Sequence, residues 1–281
     1  MVRRLSRALV FPPVQPDSSV SWQAFGYLRP IDHARAAAEH AAFRQLLAEA
    51  GVELVVGEID DPALQDAIFP FDPVLITDHG AVLCRMGKPL RAREVELAEQ
   101  TMTELGIPIL GRIQEPGTLE GGDCLWLDER TLVVGRGYRT NSEGIRQLGE
   151  ILASHGVTVL TVDLPHWHGP EECLHLLSLI SLVDDDLAVV YLPLLAAELV
   201  RLLWQRGIEL IPVPDDEFPT QGPNVLALAP RRCLILEENR ETIRRLEAAG
   251  CDVLTYTGHE ISHNRAGGPT CLTRPLLRSE E

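Results

Sequence analysis

A helix ends and a strand begins within Ala50-Gly51-Val52-Glu53-Leu54-Val55. Glycine suits a helix end because it adopts the left-handed backbone that other residues resist, and the alternating residues after it are typical of a strand. The same junction recurs four more times, around Gly106, Gly156, Gly207 and Gly250. A large apolar residue precedes each glycine by four positions, on the face that a helix turns to its core. These residues are Leu47, Met102, Leu152, Leu203 and Leu246.

The five glycines lie 55, 50, 51 and 43 residues apart, which leaves room for two strands before each helix. Apolar runs of strand length occupy those positions, for example residues 74–77 and 81–84. Each repeat therefore reads strand, strand, helix, strand. Five repeats fill residues 1–281 without a linker, so we predict one α/β domain with pseudo-fivefold symmetry. The alternative is an ordinary α/β sheet with shared glycine caps. A dinucleotide-binding fold is disfavoured, because no G-x-G-x-x-G string opens a helix.

The composition is that of an acidic protein with a full hydrophobic core. Of 281 residues 45% are hydrophobic, and the formal net charge is −16. This charge argues against nucleic acid and anionic membranes as partners and favours a small cationic substrate. No apolar run approaches the roughly 18 residues of a membrane span. Pro12, Pro13 and Pro16 interrupt any signal-peptide core, so we predict a cytoplasmic protein.

Six cysteines lie far apart, without the C-x-x-C or Cys/His spacing of a zinc site. Most of them sit in apolar runs, where a reduced cysteine packs as a small hydrophobe. Cys271 differs, because glycines and polar residues flank it in Gly267-Gly268-Pro269-Thr270-Cys271. The two glycines allow the backbone to turn sharply and to approach a ligand. Cys271 is therefore the candidate nucleophile, since the thiolate is the reactive form of cysteine.

An imidazole and two carboxylates lie far upstream of Cys271. His175 stands in an apolar segment, where a histidine is more often a packed core residue than a catalyst, and eight other histidines compete with it. Glu120 and Asp123 flank Gly121-Gly122 just before a strand. This string is an ordinary turn by composition. It could also orient an imidazole or bind a cation.

Further charged side chains mark the ends of predicted elements. Asp72 and Asp78 stand at the two ends of one strand, where one or both could line a pocket. Asn141 reads as the N-cap of a helix, and Arg139 before it could bind a carboxylate through two guanidinium nitrogens. Arg91 precedes another helix and could do the same. For both arginines an exposed surface position is the simpler interpretation.

Together these strings resemble the superfamily of enzymes that modify guanidino groups, which includes arginine deiminases, amidinotransferases and dimethylarginine dimethylaminohydrolases. The matching strings run in the family's order from residue 72 to residue 271. They are Asp72-x-Val74-x-x-x-Asp78, Arg91-x-x-Glu94, Leu119-Glu120-Gly121-Gly122-Asp123, Gly137-Tyr138-Arg139-Thr140-Asn141, His175-Leu176, Asn224-Val225 and Gly267-Gly268-Pro269-Thr270-Cys271. The resemblance implies the pentein fold, a five-bladed α/β propeller of ββαβ units, in agreement with the repeat described above.

The resemblance implies three catalytic residues that converge in the fold. Cys271 matches the nucleophile that attacks the central guanidinium carbon, His175 the general acid/base, and Glu120 the carboxylate that orients His175. In the implied chemistry the thiolate forms a covalent S-alkylthiouronium intermediate. The imidazole protonates the departing amine and then activates water, which leaves a ureido product. Neither step needs a metal ion or an organic cofactor.

The resemblance also implies how a small cationic guanidino substrate is bound. Asp78 matches the acid that grips guanidinium nitrogens, with Asp72 as a weaker candidate beside it. Arg139, and less closely Arg91, match the ligands of the substrate carboxylate. Asp123 is placed with the same substrate-binding group.

Leu177 distinguishes between substrates under this resemblance. Deiminases and amidinotransferases usually carry an acid two residues after the histidine, and dimethylarginine hydrolases lack it. An apolar side chain there would accommodate N-methyl groups, so we predict hydrolysis of N-dimethylarginine to citrulline and dimethylamine. Alternatives are an arginine deiminase or another guanidino or ureido hydrolase, an amidinotransferase, and a non-catalytic pentein that binds an amino acid. The oligomeric state is left open, with a homodimer as one alternative.

Overall fold

The computed structural model describes residues 2–16 and 21–279, which form a mixed α/β fold. The helices are α1 (His33–Glu49), α2 (Glu94–Glu104), α3 (Ser142–Ala153), α4 (Ala197–Gln205) and α5 (Arg240–Ala248). The strands are β1 (Arg4–Val10), β2 (Glu53–Val56), β3 (Val74–Thr77), β4 (Gly80–Leu83), β5 (Ile109–Arg112), β6 (Cys124–Asp128), β7 (Thr131–Arg136), β8 (Thr158–Asp163), β9 (Ile180–Asp184), β10 (Leu187–Val190), β11 (Glu209–Pro212), β12 (Leu226–Ala229), β13 (Arg232–Leu236), β14 (Asp252–Tyr256) and β15 (Arg274–Ser279). None of the described helices is both long enough and apolar enough to cross a bilayer.

These strands form five three-stranded sheets with one common pattern. The sheets are β3-β4-β5, β6-β7-β8, β9-β10-β11, β12-β13-β14 and β15-β1-β2. In each sheet the first two strands pair antiparallel, and the middle strand pairs parallel with the strand that follows the helix. A parallel pair needs a crossover connection, which the helix supplies. The predicted repeat of strand, strand, helix, strand is confirmed.

The fifth sheet takes its strands from both ends of the chain. β15 occupies the place of a first strand and pairs antiparallel with β1, with Arg4 opposite Ser279. β1 in turn pairs parallel with β2, so it is the middle strand of this sheet. β1, β9 and β15 were not predicted from the sequence. β1 and β15 are hard to predict because arginines and serines interrupt their apolar residues, and because their pairing joins distant parts of the chain.

The five helix ends have the predicted glycine geometry. All five junction glycines are left-handed, with φ between 69° and 89°. The residue after each glycine donates its N–H to the carbonyl of the apolar residue four positions before the glycine, at 2.9 to 3.4 Å. Those five apolar side chains are fully buried. One local motif therefore caps the helix, fixes a core side chain and starts the next strand.

The chain divides into two compact units, each with its own buried core. Pro70–Leu177 forms the first, here called the continuous unit, which contains β3 to β8 with α2 and α3. Met1–Phe69 and Ser178–Glu281 form the second, here called the split unit, which contains the other three sheets. A single domain over residues 1–281, and a closed propeller of its sheets, remain predictions.

The helix α3 offers a test of the junction motif. Gly156 follows the C-terminal end of α3 with φ of 71°, and a Cβ placed on it meets no atom within 4 Å. Gly149 lies inside α3, and a Cβ there also meets nothing within 4 Å. We expect Gly156→Ala to lower the free energy of unfolding by about 1 to 2 kcal/mol. The added Cβ has space, but alanine disfavours the left-handed backbone at this position. The matched Gly149→Ala should raise it by about 0.5 to 1 kcal/mol. Urea denaturation measures both, and equal effects would contradict the left-handed cap.

Candidate active site

His175 and Glu120 form a buried hydrogen-bonded pair in the continuous unit. Nε2 of His175 lies 2.7 Å from Oε2 of Glu120, and both side chains are buried. The local packing requires Gly122, since a Cβ there would lie 2.3 Å from Nδ1 of His175. The Gly-Gly pair is therefore more than a turn, because its second glycine lets the imidazole approach the backbone that carries Glu120.

Glu120 is surrounded by hydrogen-bond donors. Its Oε1 accepts the backbone N–H of Gly87 at 2.9 Å and that of Lys88 at 3.2 Å. Its carboxylate also accepts Nη1 of Arg139, at 3.0 Å to Oε2. Burial alone would raise the pKa of Glu120, but the hydrogen bond from His175 and the charge of Arg139 outweigh it and hold the pKa below its usual range. Glu120 is therefore an ionised acceptor, so Nε2 of His175 carries a proton.

Asp72 approaches the other ring nitrogen of the imidazole. Its Oδ1 lies 3.8 Å from Nδ1 of His175 and accepts the backbone N–H of Gly122 at 2.9 Å. Its Oδ2 accepts Nη1 of Arg91 at 2.6 Å, and Arg91 also binds Glu94. Asp72 is thus held by one guanidinium and one amide at a position beside the imidazole.

The two arginines are buried, so the surface interpretation is wrong for both. Arg91 is 3% exposed and Arg139 is 7% exposed. Each makes an ion pair with a carboxylate that contacts His175: Arg91 with Asp72, and Arg139 with Glu120. They compensate the charge of the buried acids, which would otherwise be costly to bury. Their binding of a substrate carboxylate remains a prediction.

Asp123 contacts the segment that carries the imidazole. Its Oδ1 accepts the backbone N–H of Leu176 at 3.0 Å, which anchors the residue after His175. Its Oδ2 has no hydrogen-bond partner within the described part of the chain. Burial raises the pKa of Asp123 to about 6, against the opposing effect of His175. This contact suits a residue that positions His175.

Asp78 does not join this cluster, and its binding of guanidinium nitrogens remains a prediction. It is exposed, in the two-residue turn between β3 and β4. Asp72 precedes the first residue of β3, at the other end of the strand. An extended chain at roughly 3.3 Å per residue places it about 20 Å from Asp78. Strand ends face in opposite directions, and only the end that carries Asp72 meets His175.

Cys271 lies in the split unit, and its convergence with His175 and Glu120 remains a prediction. Nδ2 of Asn224 donates a hydrogen bond to Sγ of Cys271 at 3.3 Å. Oδ1 of the same amide accepts the backbone N–H of Thr270 at 3.0 Å. Asn224 thus ties the thiol to the backbone beside it. Asn224 lies in one of the strings that match the superfamily, but no role was predicted for it.

Cys173 is a second thiol that sequence reasoning treated as core packing. It is half-buried, and its Sγ lies 3.6 Å from Nδ1 of His175. The spacing of two residues was the one available signal, because alternate residues of an extended segment share a side.

Three groups here also have the spacing of metal ligands. Asp72, Glu120 and His175 each offer one ligand atom, all within 4.8 Å of one another. Both carboxylates already bind an arginine, however, and the imidazole is held protonated at Nε2. The donor set therefore fits a charge-compensated proton-transfer site better than a metal-ion site.

The raised pKa of Asp123 gives a pH-dependent test. Because that pKa rises from 3.8 to about 6, the folded chain holds a proton between these values that the unfolded chain has lost. This contribution to the free energy of unfolding is complete below about pH 4 and is lost as the pH rises through about 6. Asp123→Asn, which keeps the acceptor for Leu176, should therefore gain stability relative to wild type between pH 4.5 and 7.5, by at most about 3 kcal/mol.

Denaturation curves at several pH values measure this gain. Asp163→Asn is the matched control with the opposite sign, because a hydrogen bond from Arg136 lowers the pKa of the exposed Asp163. Its stability relative to wild type should be lowest at pH 7.5 and recover at low pH. Parallel curves for Asp123→Asn and wild type would show that Asp123 is not a buried acid with a raised pKa.

Comparison with known proteins supports the resemblance found in the sequence. The chain matches the arginine deiminase family over residues 61–206 and 195–278. It is 30% identical over 249 residues to an N(G),N(G)-dimethylarginine dimethylaminohydrolase of Pseudomonas aeruginosa, which covers 88% of this chain and 91% of that protein. It is 28% identical over 261 residues to an arginine deiminase of Listeria welshimeri, which covers 78% of this chain and 63% of that protein.

Among solved structures, the chain resembles the N-terminal domain of ArgZ, an arginine dihydrolase of cyanobacteria. The TM-score is 0.84 at 20% identity, over 97% of each chain. At this identity the likeness concerns the fold, which agrees with the five mixed three-stranded sheets described above. Since the family match covers most of the chain and the Pseudomonas relative is aligned over nearly its whole length, this chain belongs to the arginine deiminase family.

Proposed function

We propose that this chain is a cytoplasmic hydrolase that cleaves a C–N bond of a substituted guanidino group. N-dimethylarginine is the first proposed substrate, and water converts it to citrulline and dimethylamine. The observation that carries the proposal is the buried pair of His175 and Glu120, in which the imidazole is held protonated among carboxylates. Membership of a family of guanidino hydrolases supports the same reaction class.

His175 acts as the general acid and then as the general base. Glu120 holds Nε2, so the proton leaves from and returns to Nδ1. In the first step Nδ1 protonates the departing dimethylamine, because an amine leaves more readily as a neutral molecule than as an anion. In the second step the neutral ring takes a proton from water. The hydroxide that results attacks the carbon that is bound to sulfur.

Cys271 acts as the nucleophile. Its thiolate attacks the central guanidinium carbon and forms a tetrahedral adduct, and loss of dimethylamine leaves an S-alkylthiouronium. Water then displaces the sulfur and gives the ureido product. The hydrogen bond from Asn224 supports this role, since a donor at 3.3 Å from Sγ stabilises the thiolate over the thiol. The positive charge of a bound substrate would likewise favour the thiolate over the thiol.

Asp72 is the first proposed acid to bind the guanidinium, and Asp78 is the second. Its position 3.8 Å from Nδ1 of His175 would set the substrate nitrogen beside the proton donor. Arg139 and Arg91 are the proposed ligands of the substrate carboxylate. The net charge of −16 supports a cationic substrate by long-range attraction.

The choice of dimethylarginine over arginine rests on Leu177. This side chain is buried two residues after His175, where the resemblance places an acid in deiminases. A buried carboxylate would suit an unsubstituted guanidinium nitrogen, whereas an apolar side chain suits methyl groups. The Pseudomonas relative is named for dimethylarginine, and the Listeria relative is named for arginine. Arginine is therefore the alternative substrate.

Replacement of the proposed nucleophile tests the covalent mechanism. We expect Cys271→Ser to lower kcat for citrulline release by about a thousandfold or more, because a serine hydroxyl is not ionised near neutral pH. Binding of dimethylarginine, followed by calorimetry, should persist, since the charged groups that bind it remain. Cys84→Ala, at a buried thiol in the hydrophobic core of the continuous unit, serves as the control and should retain activity. Full turnover by Cys271→Ser would exclude a thiol nucleophile, and binding without turnover by the wild type would identify a non-catalytic protein.

A substrate panel tests the role of Leu177. Citrulline release is measured with arginine, methylated arginines and agmatine, and formation of guanidinoacetate from arginine and glycine tests for amidino transfer. We expect Leu177→Asp to raise the ratio of kcat/KM for arginine over dimethylarginine about tenfold or more, as one hydrogen bond to a charged group is worth about 1.5 to 3 kcal/mol. Leu177→Asn is the neutral counterpart that folds more readily and should shift the ratio less. An unchanged ratio in both folded variants would show that Leu177 does not face the guanidinium.

A further inference from the structure

We infer that Cys173 is a positioning residue whose thiolate holds the proton on Nδ1 of His175 in the resting site. The inference deepens the proposed function and rests on it for its catalytic meaning. Its geometric basis lies within the continuous unit, where Sγ of Cys173 lies 3.6 Å from Nδ1. No role for this thiol follows from the family resemblance.

The two nitrogens of His175 have different neighbours. Nε2 is bound to the ionised Glu120 and cannot exchange its proton without breaking that bond. Nδ1 is therefore the nitrogen that transfers a proton, and it faces Sγ of Cys173 and, at 3.8 Å, Oδ1 of Asp72. A neutral thiol would form only a weak hydrogen bond with Nδ1, whereas a thiolate beside an imidazolium forms a charge-assisted pair.

The neighbouring acids leave this position to Cys173. Asp72 is already bound by Arg91 and by a backbone amide, and Glu120 by Arg139 and two backbone amides. Asp123, whose pKa is raised to about 6, hydrogen-bonds to the backbone after His175 instead of to the ring.

The charges around the pair favour its ionised form. Burial would raise the pKa of Cys173, but the nearby charges of His175 and Arg139 outweigh it and lower the pKa. Burial would lower the pKa of His175, but Cys173 first, and then Asp72 and Asp123, outweigh it and raise the pKa well above its usual value. Arg91 and Arg139 balance the remaining carboxylates, so the thiolate adds a negative charge directly at the nitrogen that transfers the proton.

This arrangement has a consequence for the catalytic cycle. When Nδ1 gives its proton to the departing amine, the ring becomes neutral while the thiolate beside it remains. The negative charge then favours the return of a proton from water to Nδ1, which is the step that makes the attacking hydroxide. Cys173 neither touches the substrate nor forms a covalent bond. It acts by raising the pKa of His175.

The ring pKa can be measured without any substrate. We propose a pH titration by NMR of the full chain with 15N-labelled histidine rings, with His175→Asn used to assign the signal. Cys173→Ser keeps the size of the side chain but cannot ionise, so the pKa of His175 should fall by about one unit or more. Cys173→Ala should give the same fall, and Cys173→Asp should restore most of the wild-type value by restoring a negative charge.

A matched control and a second readout keep the test decisive. Cys84→Ser, at a buried thiol of the same unit, should leave the titration of His175 unchanged. In a Cys271→Ser background, the rate of Cys173 alkylation by iodoacetamide should have its midpoint below about 8.5, the ordinary thiol pKa, and His175→Asn should raise it. This second measurement does not depend on how the Cys173 variants fold. An unchanged ring pKa in folded Cys173→Ser, or an ordinary alkylation midpoint, would overturn the inference.

The kinetic measurement separates this inference from the proposed function. If the chain hydrolyses dimethylarginine, the basic limb of kcat/KM against pH should move to lower pH in Cys173→Ser by the shift seen in the ring titration, and return in Cys173→Asp. A purely structural role for Cys173 would lower stability without moving this limb, and would overturn the inference. If the ring shift is present but no substrate of the panel is hydrolysed, the proposed function fails and the ion pair stands.

Discussion

The hydrogen bond between Nε2 of His175 and the carboxylate of Glu120 is the interaction on which the rest of the candidate site depends. It needs a glycine at position 122, because any larger residue would occupy the space of the imidazole. It needs an ionised Glu120, which Arg139 and two backbone amides provide. Once Nε2 is fixed, the chemistry is confined to Nδ1, and the groups that surround Nδ1 decide how firmly the ring holds its second proton.

Buried charge explains why so many polar residues occur together in the continuous unit. An isolated carboxylate in an apolar interior would be neutralised by a raised pKa, as partly happens at Asp123. Asp72 and Glu120 each have an arginine partner instead, and both arginines are buried with them. Removal of one partner would leave the other charge unpaired. The pairs thus maintain a site that stays ionised away from water.

Local patterns in the sequence predicted the repeat well and predicted the site only in part. The junction glycines gave the five helix ends because a left-handed cap is a one-residue requirement. β1 and β15 were missed, since their pairing depends on contacts between distant segments. A sequence shows that Asp72 and Asp78 both flank β3, but it does not show that only the end near Asp72 meets His175. Cys173 resembled a core thiol for the same reason: its neighbour at Nδ1 becomes visible only in three dimensions.

The pairing of β1 with β15 has a consequence for biosynthesis. Ser6 and Ser279 hydrogen-bond across 273 positions of sequence, so β1 emerges from the ribosome long before its antiparallel partner exists. The continuous unit, Pro70–Leu177, is complete well before that. We expect the continuous unit to fold first. Until residues 274–279 have been synthesised, the edge of β1 that pairs with β15 is unpaired and can pair with a wrong strand. Protease protection of stalled nascent chains would reveal this order. The tendency to aggregate would then depend on the timing of translation and not on the stability of the finished fold.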